Sequence, residues 1–215
     1  MRGFLKGLGE LLFPVDVKCA LCGGERGILA GSGICECCYG ELPLEFMGEQ
    51  VLGVSCFWAL EYQDKAREMI HGLKFDNKRY LARTLGYLML ECYRAYLMEL
   101  PIDGICPMPL HRNRLRKRGF NQSLLLAQEL SEGLGIPVYP DGLRRIRDTR
   151  PQMELTREER LKNVEGAFVP GMEFQGRCIL LIDDVLTTGA SVRECAQVVQ
   201  TGGGSVVCFC AARRE

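Results

Sequence analysis

One segment late in the chain constrains the fold more than any other. Residues 179–182 form a short apolar run that ends in two adjacent acids, Asp183 and Asp184. The chain then passes through a turn rich in small hydroxylated residues and enters a predicted helix at residues 189–200. A short apolar run bounded by charged and turn residues indicates a buried strand, here one that leads directly into a helix.

Strands and helices alternate along most of the chain. The predicted strands span residues 55–62, 104–108, 137–139, 177–182 and 205–211. The predicted helices span residues 64–71, 78–100, 121–133, 156–164 and 189–200, and Thr156 and Glu159 fit a capping box. This alternation predicts an α/β fold with a mostly parallel, twisted sheet flanked by helices. Residues 42–50 are interpreted as a polar linker between a small N-terminal module, residues 1–45, and the α/β domain, residues 50–215.

Composition and charge exclude several classes of protein. Of the 215 residues, 47% are hydrophobic and 25% are charged, which is typical of a soluble globular chain and not of a disordered one. The longest apolar runs fall far short of the ~20 residues that a membrane helix needs, so no membrane span is predicted. The 27 basic residues balance the 27 acidic ones, which excludes nucleic-acid binding by bulk charge but not by a local basic patch.

Twelve cysteines are many for a chain of this length. Cys19 and Cys22 form one C-x2-C pair and Cys35 and Cys38 form another, with twelve residues between the pairs, a spacing typical of zinc sites. Four thiolates close a tetrahedral site, so we predict a structural Zn²⁺ and no catalysis there. The alternatives are disulfides, redox chemistry or no metal. Cys37 is a surplus thiol that competes with Cys35 for the fourth position.

The remaining seven cysteines are interpreted as small buried hydrophobic residues, because free cysteine is among the most buried residue types. Residues 2–13 have a basic start but are interrupted by glycine and Glu10, and no small-residue cleavage site follows. We therefore expect a short amphipathic helix instead of a signal peptide, and reduced thiols in the cytoplasm. The apolar face of that helix either serves a partner or packs on the zinc module.

The two acids and the turn after them have the chemistry of a site for a phosphorylated sugar. Asp183 and Asp184 are suited to hold ribose hydroxyls directly or through Mg²⁺. The turn offers backbone N–H groups, hydroxyl donors and a helix N-terminus to a phosphate at the carboxyl end of a strand. The residues of this loop are Val185, Leu186, Thr187, Thr188, Gly189, Ala190 and Ser191. The ATP-binding pattern G-x-x-x-x-G-K-[ST] is absent from the sequence.

Two basic segments stand out against the neutral overall charge. Residues 111–118 carry five basic charges and precede a Gly-Phe-Asn-Gln turn, and residues 144–150 carry four arginines against one aspartate. Each follows a predicted strand, so both are expected at the mouth of the phosphate loop, with a solvated helix face as the alternative. The ligand is either pyrophosphate or the backbone of single-stranded nucleic acid, and Phe120 and Tyr139 either stack on bases or pack in the core. The candidate residues are Pro109, Arg114, Arg116, Lys117, Arg118, Asn121, Gln122, Arg147, Arg150, Gln152 and Arg160.

Residues 179–191 resemble the thirteen-residue motif that binds phosphoribosyl pyrophosphate (PRPP) in type I phosphoribosyltransferases. That motif consists of a hydrophobic strand, two acidic residues and the pattern T-T-G-x-S/T. Further motifs extend the resemblance over nearly the whole chain, which is similar to the ComF family of bacterial competence proteins. These motifs are Leu12-Phe13-Pro14, the four cysteines, Pro107-Met-Pro-Leu110, Arg118-Gly-Phe-Asn-Gln122, Thr149, Gln152, Leu155, Arg160, Asn163 and Gly166-Ala-Phe168. Two departures are small: Ser191 stands where threonine is frequent, and Cys37 adds a thiol.

The resemblance implies a type I phosphoribosyltransferase fold with an N-terminal zinc module. It also implies a role in natural transformation, where incoming single-stranded DNA is moved into the cytoplasm alongside a helicase partner. It places Asp183 and Asp184 at the ribose or Mg²⁺ and residues 187–191 around the 5′-phosphate. Residues 107–122 then correspond to the pyrophosphate loop, and residues 147–160 to the flexible loop over the site.

Three functions fit this sequence. The first is a DNA-uptake factor that binds PRPP and single-stranded DNA, and the zinc module favours it because such a module beside basic segments suits a strand or a partner better than a small base. The second is a phosphoribosyltransferase that transfers phosphoribose from PRPP to a nucleobase or an amine in salvage metabolism. The third is a PRPP-sensing regulator. No general base and no base-specific hood is recognisable, so the acceptor stays open.

Overall fold

A computed structural model describes residues 18–149 and 156–214. The predicted helix at residues 2–13 and the candidates Arg150 and Gln152 lie outside the described residues, as does the side chain of Arg160. The helices are α1 (Glu36–Gly40), α2 (Asp64–Phe75), α3 (Leu81–Tyr96), α4 (Arg112–Arg118), α5 (Gln122–Leu134), α6 (Arg157–Val164) and α7 (Ala190–Thr201). The strands are β1 (Leu44–Val51), β2 (Val54–Glu61), β3 (Gly104–Pro107), β4 (Leu143–Arg145), β5 (Phe168–Pro170), β6 (Cys178–Leu186) and β7 (Ser205–Arg213). Within these ranges, none of the helices combines the length and the apolar character that crossing a membrane requires.

Five strands form the central sheet in the order β1-β2-β7-β6-β3, and β4 and β5 form a separate pair. Strands β2, β7, β6 and β3 run parallel, and β1 pairs antiparallel with β2 at one edge. Central positions such as Leu181 of β6, opposite Cys208 of β7, are fully buried, which explains the near-continuous apolar sequence of these strands. The predicted fold class, α/β with a mostly parallel sheet, is confirmed.

Two apolar layers cover the faces of the sheet. On one face, α2, α3 and α5 pack over Leu180, Ile182 and Phe209, and the cysteine-rich module at residues 19–42 joins this layer. On the other face, α7 and β5 pack over alternate strand residues such as Leu181. The cysteine module therefore shares a core with the α/β part of the chain.

Most of the cysteines outside the module fill the core. Five of the seven are buried and two are half-buried, which confirms the interpretation of these residues as small hydrophobic side chains for the buried five. The buried ones are Cys56, Cys106, Cys195, Cys208 and Cys210, and the half-buried ones are Cys92 and Cys178.

The linker predicted at residues 42–50 is wrong, because β1 occupies most of it. Strand β1 forms a hairpin with β2, and the two-residue turn, Leu52 and Gly53, has φ angles of 52° and 83°, the positive values of a type I′ turn. Most side chains of β1 are exposed because the strand lies at the edge of the sheet. Its sequence therefore lacks the apolar signal of the central strands.

Most of the basic segment at residues 111–118 is helix α4, the alternative that the sequence left open. His111 caps this helix by accepting a hydrogen bond from the N–H of Asn113 at 3.3 Å. Gly119, with a φ of 80°, ends it. Its last three residues are basic, and positive charge is favourable at a helix C-terminus. The capping box predicted for Thr156 and Glu159 is confirmed at the start of α6.

Candidate functional site

The end of β6 and the start of α7 lie at the carboxyl edge of the sheet. Strand β6 continues to Leu186 and α7 begins at Ala190, so the loop between them consists of Thr187, Thr188 and Gly189. Helix α7 directs its N-terminal N–H groups toward this loop, as the motif predicts for a phosphate-binding turn.

Val185 and Leu186 belong to the strand and not to the loop. They pair with Ala212 and Arg213 of β7. Leu186 is buried in one apolar layer, and Val185 packs against the other. Their contact with a phosphate stays a prediction, and their side chains are held in the core.

Gly189 has two structural reasons to be glycine. Its φ of 75° lies in the left-handed region, which residues with a Cβ rarely adopt. A Cβ at this position would lie 2.3 Å from Cγ1 of Val51 and 3.8 Å from Cδ1 of Leu52. The tip of the β1–β2 hairpin therefore packs on the loop.

Asp183 is half-buried at the end of β6. Its Oδ1 atom accepts a hydrogen bond from Oγ of Ser123 at 3.0 Å and from the backbone N–H of Asp184 at 2.9 Å. Burial raises the pKa of Asp183 and the charge of Asp184 raises it further, whereas Lys74 and the two hydrogen bonds lower it; the pKa is about 7. This carboxyl group therefore changes its charge near neutral pH.

Asp184 forms an ion pair that the sequence does not indicate. Its Oδ2 atom lies 2.8 Å from Nζ of Lys74, at the C-terminal end of α2. The side chains are only 4% and 20% exposed, so the pair is largely removed from water. Lys74 thus places a positive charge beside both predicted acids.

Arg118 ends α4 and faces the two acids. Its Nη1 atom donates a hydrogen bond to Oε1 of Gln122. Burial lowers the pKa of Arg118, and the carboxylates of Asp184 and Asp183 oppose that effect, which places the guanidinium within their field. Asn121 caps α5 and donates from Nδ2 to the carbonyl of Met108 at 3.0 Å, so it orders the turn between β3 and α5.

Two hydrogen bonds join the basic segments to each other. Arg114 of α4 donates from Nη2 to the carbonyl of Thr149 at 2.7 Å, and Arg145 of β4 donates to the hydroxyl of the same threonine. Burial lowers the pKa of Arg145 to about 10, with a contribution from the charge of Arg114, and Asp183 is among the groups that oppose the shift. Parts of both basic segments therefore converge near Asp183.

Four other candidates from these segments have different surroundings. Arg116 and Lys117 are exposed on α4, and Pro109 is buried between β3 and α4. Arg147 is exposed and donates a hydrogen bond to the carbonyl of Glu165. Within the described ranges, none of these four is recorded in contact with either acid, and their roles stay predictions.

Besides Oδ2 of Asp184, which is ion-paired with Lys74, two buried polar atoms at this edge have no hydrogen-bond partner among the described residues. They are Oγ1 of Thr188 and Nε of Arg145. Buried polar atoms are nearly always paired in folded proteins, so such atoms mark places where a polar ligand or water is expected. Both atoms are suited to an anionic group: one is a hydroxyl in the loop, the other a guanidinium N–H.

A cavity of about 790 Å³ lies away from this edge, between α6, β5 and α7. Phe168 and Val198 contribute to its lining, and none of the predicted site residues does. The candidate site at the carboxyl edge is therefore identified by the chemistry of its acids and loop and not by the size of a cavity.

The four predicted metal ligands come together in the cysteine module. The Sγ atoms of Cys19, Cys22, Cys35 and Cys38 all lie within 4.8 Å of one another, and those of Cys22 and Cys35 are 3.8 Å apart. A tetrahedral site with Zn–S bonds of about 2.3 Å has S···S edges of about 3.8 Å. The cluster fits one metal ion. Cys37 points away and donates from Sγ to Glu41 at 3.6 Å, so Cys35 and not Cys37 completes the cluster with Cys38.

Backbone N–H groups stabilise negative charge on the sulfurs of the module. Burial raises the pKa of Cys19, but the N–H groups of Cys22, Cys35 and Leu21 outweigh it and lower the pKa to about 6. Lys65 of α2 donates to Sγ of Cys38 at 3.4 Å. The module thus has the hydrogen-bonded surroundings that metal-binding thiolates usually have.

Sequence reasoning missed three residues of the carboxyl edge, each on a different element. Lys74 ends α2, Ser123 begins α5, and Arg213 ends β7, where it donates to the carbonyl of Thr187 and pairs with Glu49 of β1 at 2.9 Å. Each is a polar residue at the end of an apolar element. That position is their only signal in the sequence, and it is too common to be specific.

Comparison with known proteins finds relatives for most of the chain. Over 157 residues the chain is 36% identical to the DNA utilization protein YhgH of Escherichia coli (strain K12), a match that covers 70% of this chain and 69% of that protein. Over 142 residues it is 34% identical to competence protein F of Haemophilus influenzae, covering 63% of this chain and 62% of that protein. No family model matches the chain.

Among solved structures, adenine phosphoribosyltransferase from Leishmania tarentolae is similar, with a TM-score of 0.46 and 14% identity over 80% of this chain and 95% of that one. The family assignment rests on the sequence relatives. The match to YhgH spans more than two thirds of both proteins, and competence protein F matches much of the same length. The chain belongs to the ComF family.

Proposed function

We propose that this protein is a phosphoribosyltransferase-like member of the ComF family that binds PRPP together with Mg²⁺ at the carboxyl edge of its sheet. One observation carries the proposal: the phosphate loop, Asp183, Asp184 and the two arginines Arg118 and Arg145 meet there. The loop and the N-terminus of α7 suit the 5′-phosphate. The arginines suit the pyrophosphate, whose charges need several cationic partners.

The residues present also suit Mg²⁺. This cation prefers carboxylate oxygens and substrate phosphates, and Asp183 offers a carboxylate at the loop. Mg²⁺ bound there would offset the repulsion between the acids and the phosphates of PRPP. Asp184 is already paired with Lys74, so we assign the metal contact to Asp183 first.

Natural competence is the proposed biological setting. The named relatives are a DNA utilization protein and a competence protein, and α4 presents Arg116 and Lys117 to solvent as phosphate contacts for single-stranded DNA. We place the protein in the cytoplasm, where it would receive incoming single-stranded DNA, with a competence helicase as a partner. The cysteine module would hold one structural Zn²⁺.

A second candidate function is transfer of phosphoribose from PRPP to a nucleobase or an amine. The observation that favours it is the pKa of about 7 at Asp183, because a carboxyl group that titrates near neutral pH can exchange a proton with a reacting group. A pyrophosphate-release assay across nucleobases and amines, with and without single-stranded DNA, separates the two functions. Release with one acceptor decides for the enzyme.

Calorimetric titration with PRPP and Mg²⁺ tests the phosphate site. We expect Asp183→Ala and Asp184→Ala to abolish binding. Asp103→Ala is the matched control, since this exposed carboxylate lies at the opposite edge of the sheet and accepts the N–H of Cys178 at 2.7 Å. Unchanged binding in the two acid variants would remove the phosphate-site assignment.

The DNA surface needs its own experiment. Reversing the charge at Arg114, Arg116 and Lys117 should weaken binding of single-stranded DNA and flatten its salt dependence by roughly 0.7 in log–log slope per lost phosphate contact. Arg94→Glu is the control, because Arg94 is exposed on α3 and pairs with Glu91. Unaltered DNA affinity after the triple reversal excludes α4 as the DNA surface.

A further inference from the structure

The two most exposed phenylalanine or tyrosine side chains in the described ranges have different surroundings. Tyr96, at the end of α3, is 65% exposed, but one face of its ring stacks on Phe46 with centroids 4.2 Å apart. Phe46 in turn stacks on Phe57. Phe75, at the end of α2, is 57% exposed, and its ring lies near His71, tilted at 4.8 Å, and near the guanidinium of Arg118.

Phe75 lies at the rim of the proposed PRPP site. It directly follows Lys74, whose Nζ atom is 2.8 Å from Oδ2 of Asp184. The guanidinium of Arg118 lies 5.8 Å from the centre of the Phe75 ring and within the field of both acids. One arginine therefore connects the exposed ring with the acidic end of β6.

Several cationic residues lie near Phe75 in the sequence, and one lies at its ring. Lys74, Lys78 and Arg79 lie within four positions of it in the sequence, and Arg118 reaches it from α4. The acidic neighbour, Asp76, is itself close to a histidine, His71, at 3.7 Å. An exposed aromatic ring among cations matches a ligand that carries a flat ring and phosphate groups together. Nucleotides have this chemistry, and their bases stack on aromatic rings and on arginine guanidinium planes.

The two aromatic residues considered from the sequence as base-stacking candidates do not offer such a surface. Phe120 is 8% exposed, and the guanidinium of Arg79 covers its ring at 4.6 Å. The ring of Tyr139 packs where a Cβ of Gly104 would be, 2.2 Å from Cε2, and the guanidinium of Arg177 lies 5.7 Å from its centre. In both residues, other groups of the protein already pack against the aromatic ring.

We propose that Phe75, with Arg118 beside it, is a stacking platform for a nucleobase at the rim of the PRPP site. The proposal rests on the proposed function, because the phosphate site gives the platform its setting. The base comes either from a strand of DNA or from a free nucleobase, and both present the same flat ring to Phe75.

Three variants test the platform by fluorescence anisotropy with a labelled oligothymidylate and with an abasic strand of the same length. Phe75→Ala should weaken binding of oligothymidylate by roughly 5- to 150-fold, the range of one lost base stack. Binding of the abasic strand should not change, because that strand keeps its phosphates and has no bases. Phe75→Trp should restore binding, and Tyr96→Ala is the matched control with an exposed ring outside the basic surface.

A second arm identifies the source of the base. Wild type and Phe75→Ala are titrated with adenine, guanine and uracil in the presence of PRPP and Mg²⁺. If the variant loses affinity for the free base but not for oligothymidylate, the platform serves a free nucleobase. If it loses affinity for oligothymidylate alone, the platform serves a strand.

The outcomes separate the platform from the proposed function. Equal binding of oligothymidylate and every free base by wild type and Phe75→Ala would overturn the platform, and so would an equal loss for the abasic strand. PRPP titration is the independent check, because Phe75→Ala is expected to leave PRPP affinity unchanged. Failure of the wild type to bind PRPP overturns the proposed function whatever the oligonucleotides do.

Discussion

The cysteine module and the carboxyl edge of the sheet are both suited to charged ligands, but the chain builds them in different ways. The module takes four sulfur atoms and most of their hydrogen-bond donors from one short stretch of sequence. The carboxyl edge takes its groups from α2, α4, α5, β4, β6 and β7. A site of the first kind depends on its own ligands, whereas a site of the second kind depends on the packing of the whole domain.

The largest expected effect lies in the module. Cys19→Ser should weaken metal binding by about 100- to 1,000-fold, because each of four thiolates contributes roughly a quarter of a binding free energy of about 10–16 kcal/mol. Competition with a chromophoric zinc chelator measures the affinity. Cys37→Ser is the control, since Cys37 is exposed and lies outside the cluster. Equal losses in both variants would contradict the ligand set.

At the carboxyl edge, the next effect comes from breaking the ion pair between Lys74 and Asp184. Lys74→Met should lower the free energy of unfolding by about 3 kcal/mol, because it leaves a buried carboxylate without its partner. Adding Asp184→Asn should recover most of that loss. Urea unfolding of the two single variants and the double variant measures the coupling, with Lys78→Met as the exposed control. Additive losses would show that the two residues do not act as a pair.

Gly189→Ala tests whether the hairpin tip supports the loop. We expect a loss of about 2–3 kcal/mol, since the new Cβ both strains φ and meets Val51. Gly135 has a similar φ of 73° with nothing within 4 Å of a Cβ, so Gly135→Ala should cost only the backbone strain of about 1–2 kcal/mol. Adding Val51→Ala should recover part of the loss at Gly189. Thermal unfolding compares these three variants with the wild type, and identical losses at both glycines would exclude the contact.

The smallest expected effect is a pH dependence at Asp183. Its folded-state pKa of about 7 exceeds the unfolded value of about 3.9, so the folded chain binds more protons between these values and its stability falls as pH rises through them. The difference between the two pKa values corresponds to about 4 kcal/mol. Because Asp183 is partly exposed, solvent screening reduces this, and Asp183→Asn, which cannot ionise, should be more stable than the wild type above pH 7 by about 1–2 kcal/mol. Unfolding at pH 5 and pH 8 measures this difference. Asp103→Asn is the control, and a variant with the wild-type pH slope would exclude Asp183 as its source.

The sequence predicted those features of the fold and the sites that depend on residues close together in the chain. The C-x2-C pairs predict the cluster because their ligands lie close together in the chain, and the run into Asp183 predicts β6 because a central strand is apolar at successive positions. The edge strand β1 was missed and helix α4 was only an alternative, since an edge strand exposes most of its side chains and α4 has no buried residues. Neither element carries the apolar pattern that identifies buried elements.

The partners of the acids were beyond sequence reasoning for a different reason. Lys74 reaches Asp184 only because α2 packs on the sheet face that Leu180 and Ile182 cover, and Ser123 reaches Asp183 only because Asn121 starts α5 at that place. Such contacts follow from how elements pack, and no spacing within one segment encodes them. Arg118 was predicted because it ends a dense basic run just before a turn.

Helix α2 contacts both the cysteine module and the carboxyl edge of the sheet. Near its start, Lys65 donates to Sγ of Cys38 and pairs with Glu41 at 2.5 Å, and near its end Lys74 pairs with Asp184. The nine helical steps between the two lysines span about 13 Å. Because the helix is held by contacts at both ends, a displacement of one end moves the other. We therefore expect loss of the metal from the cysteine module to shift Lys74 relative to Asp184.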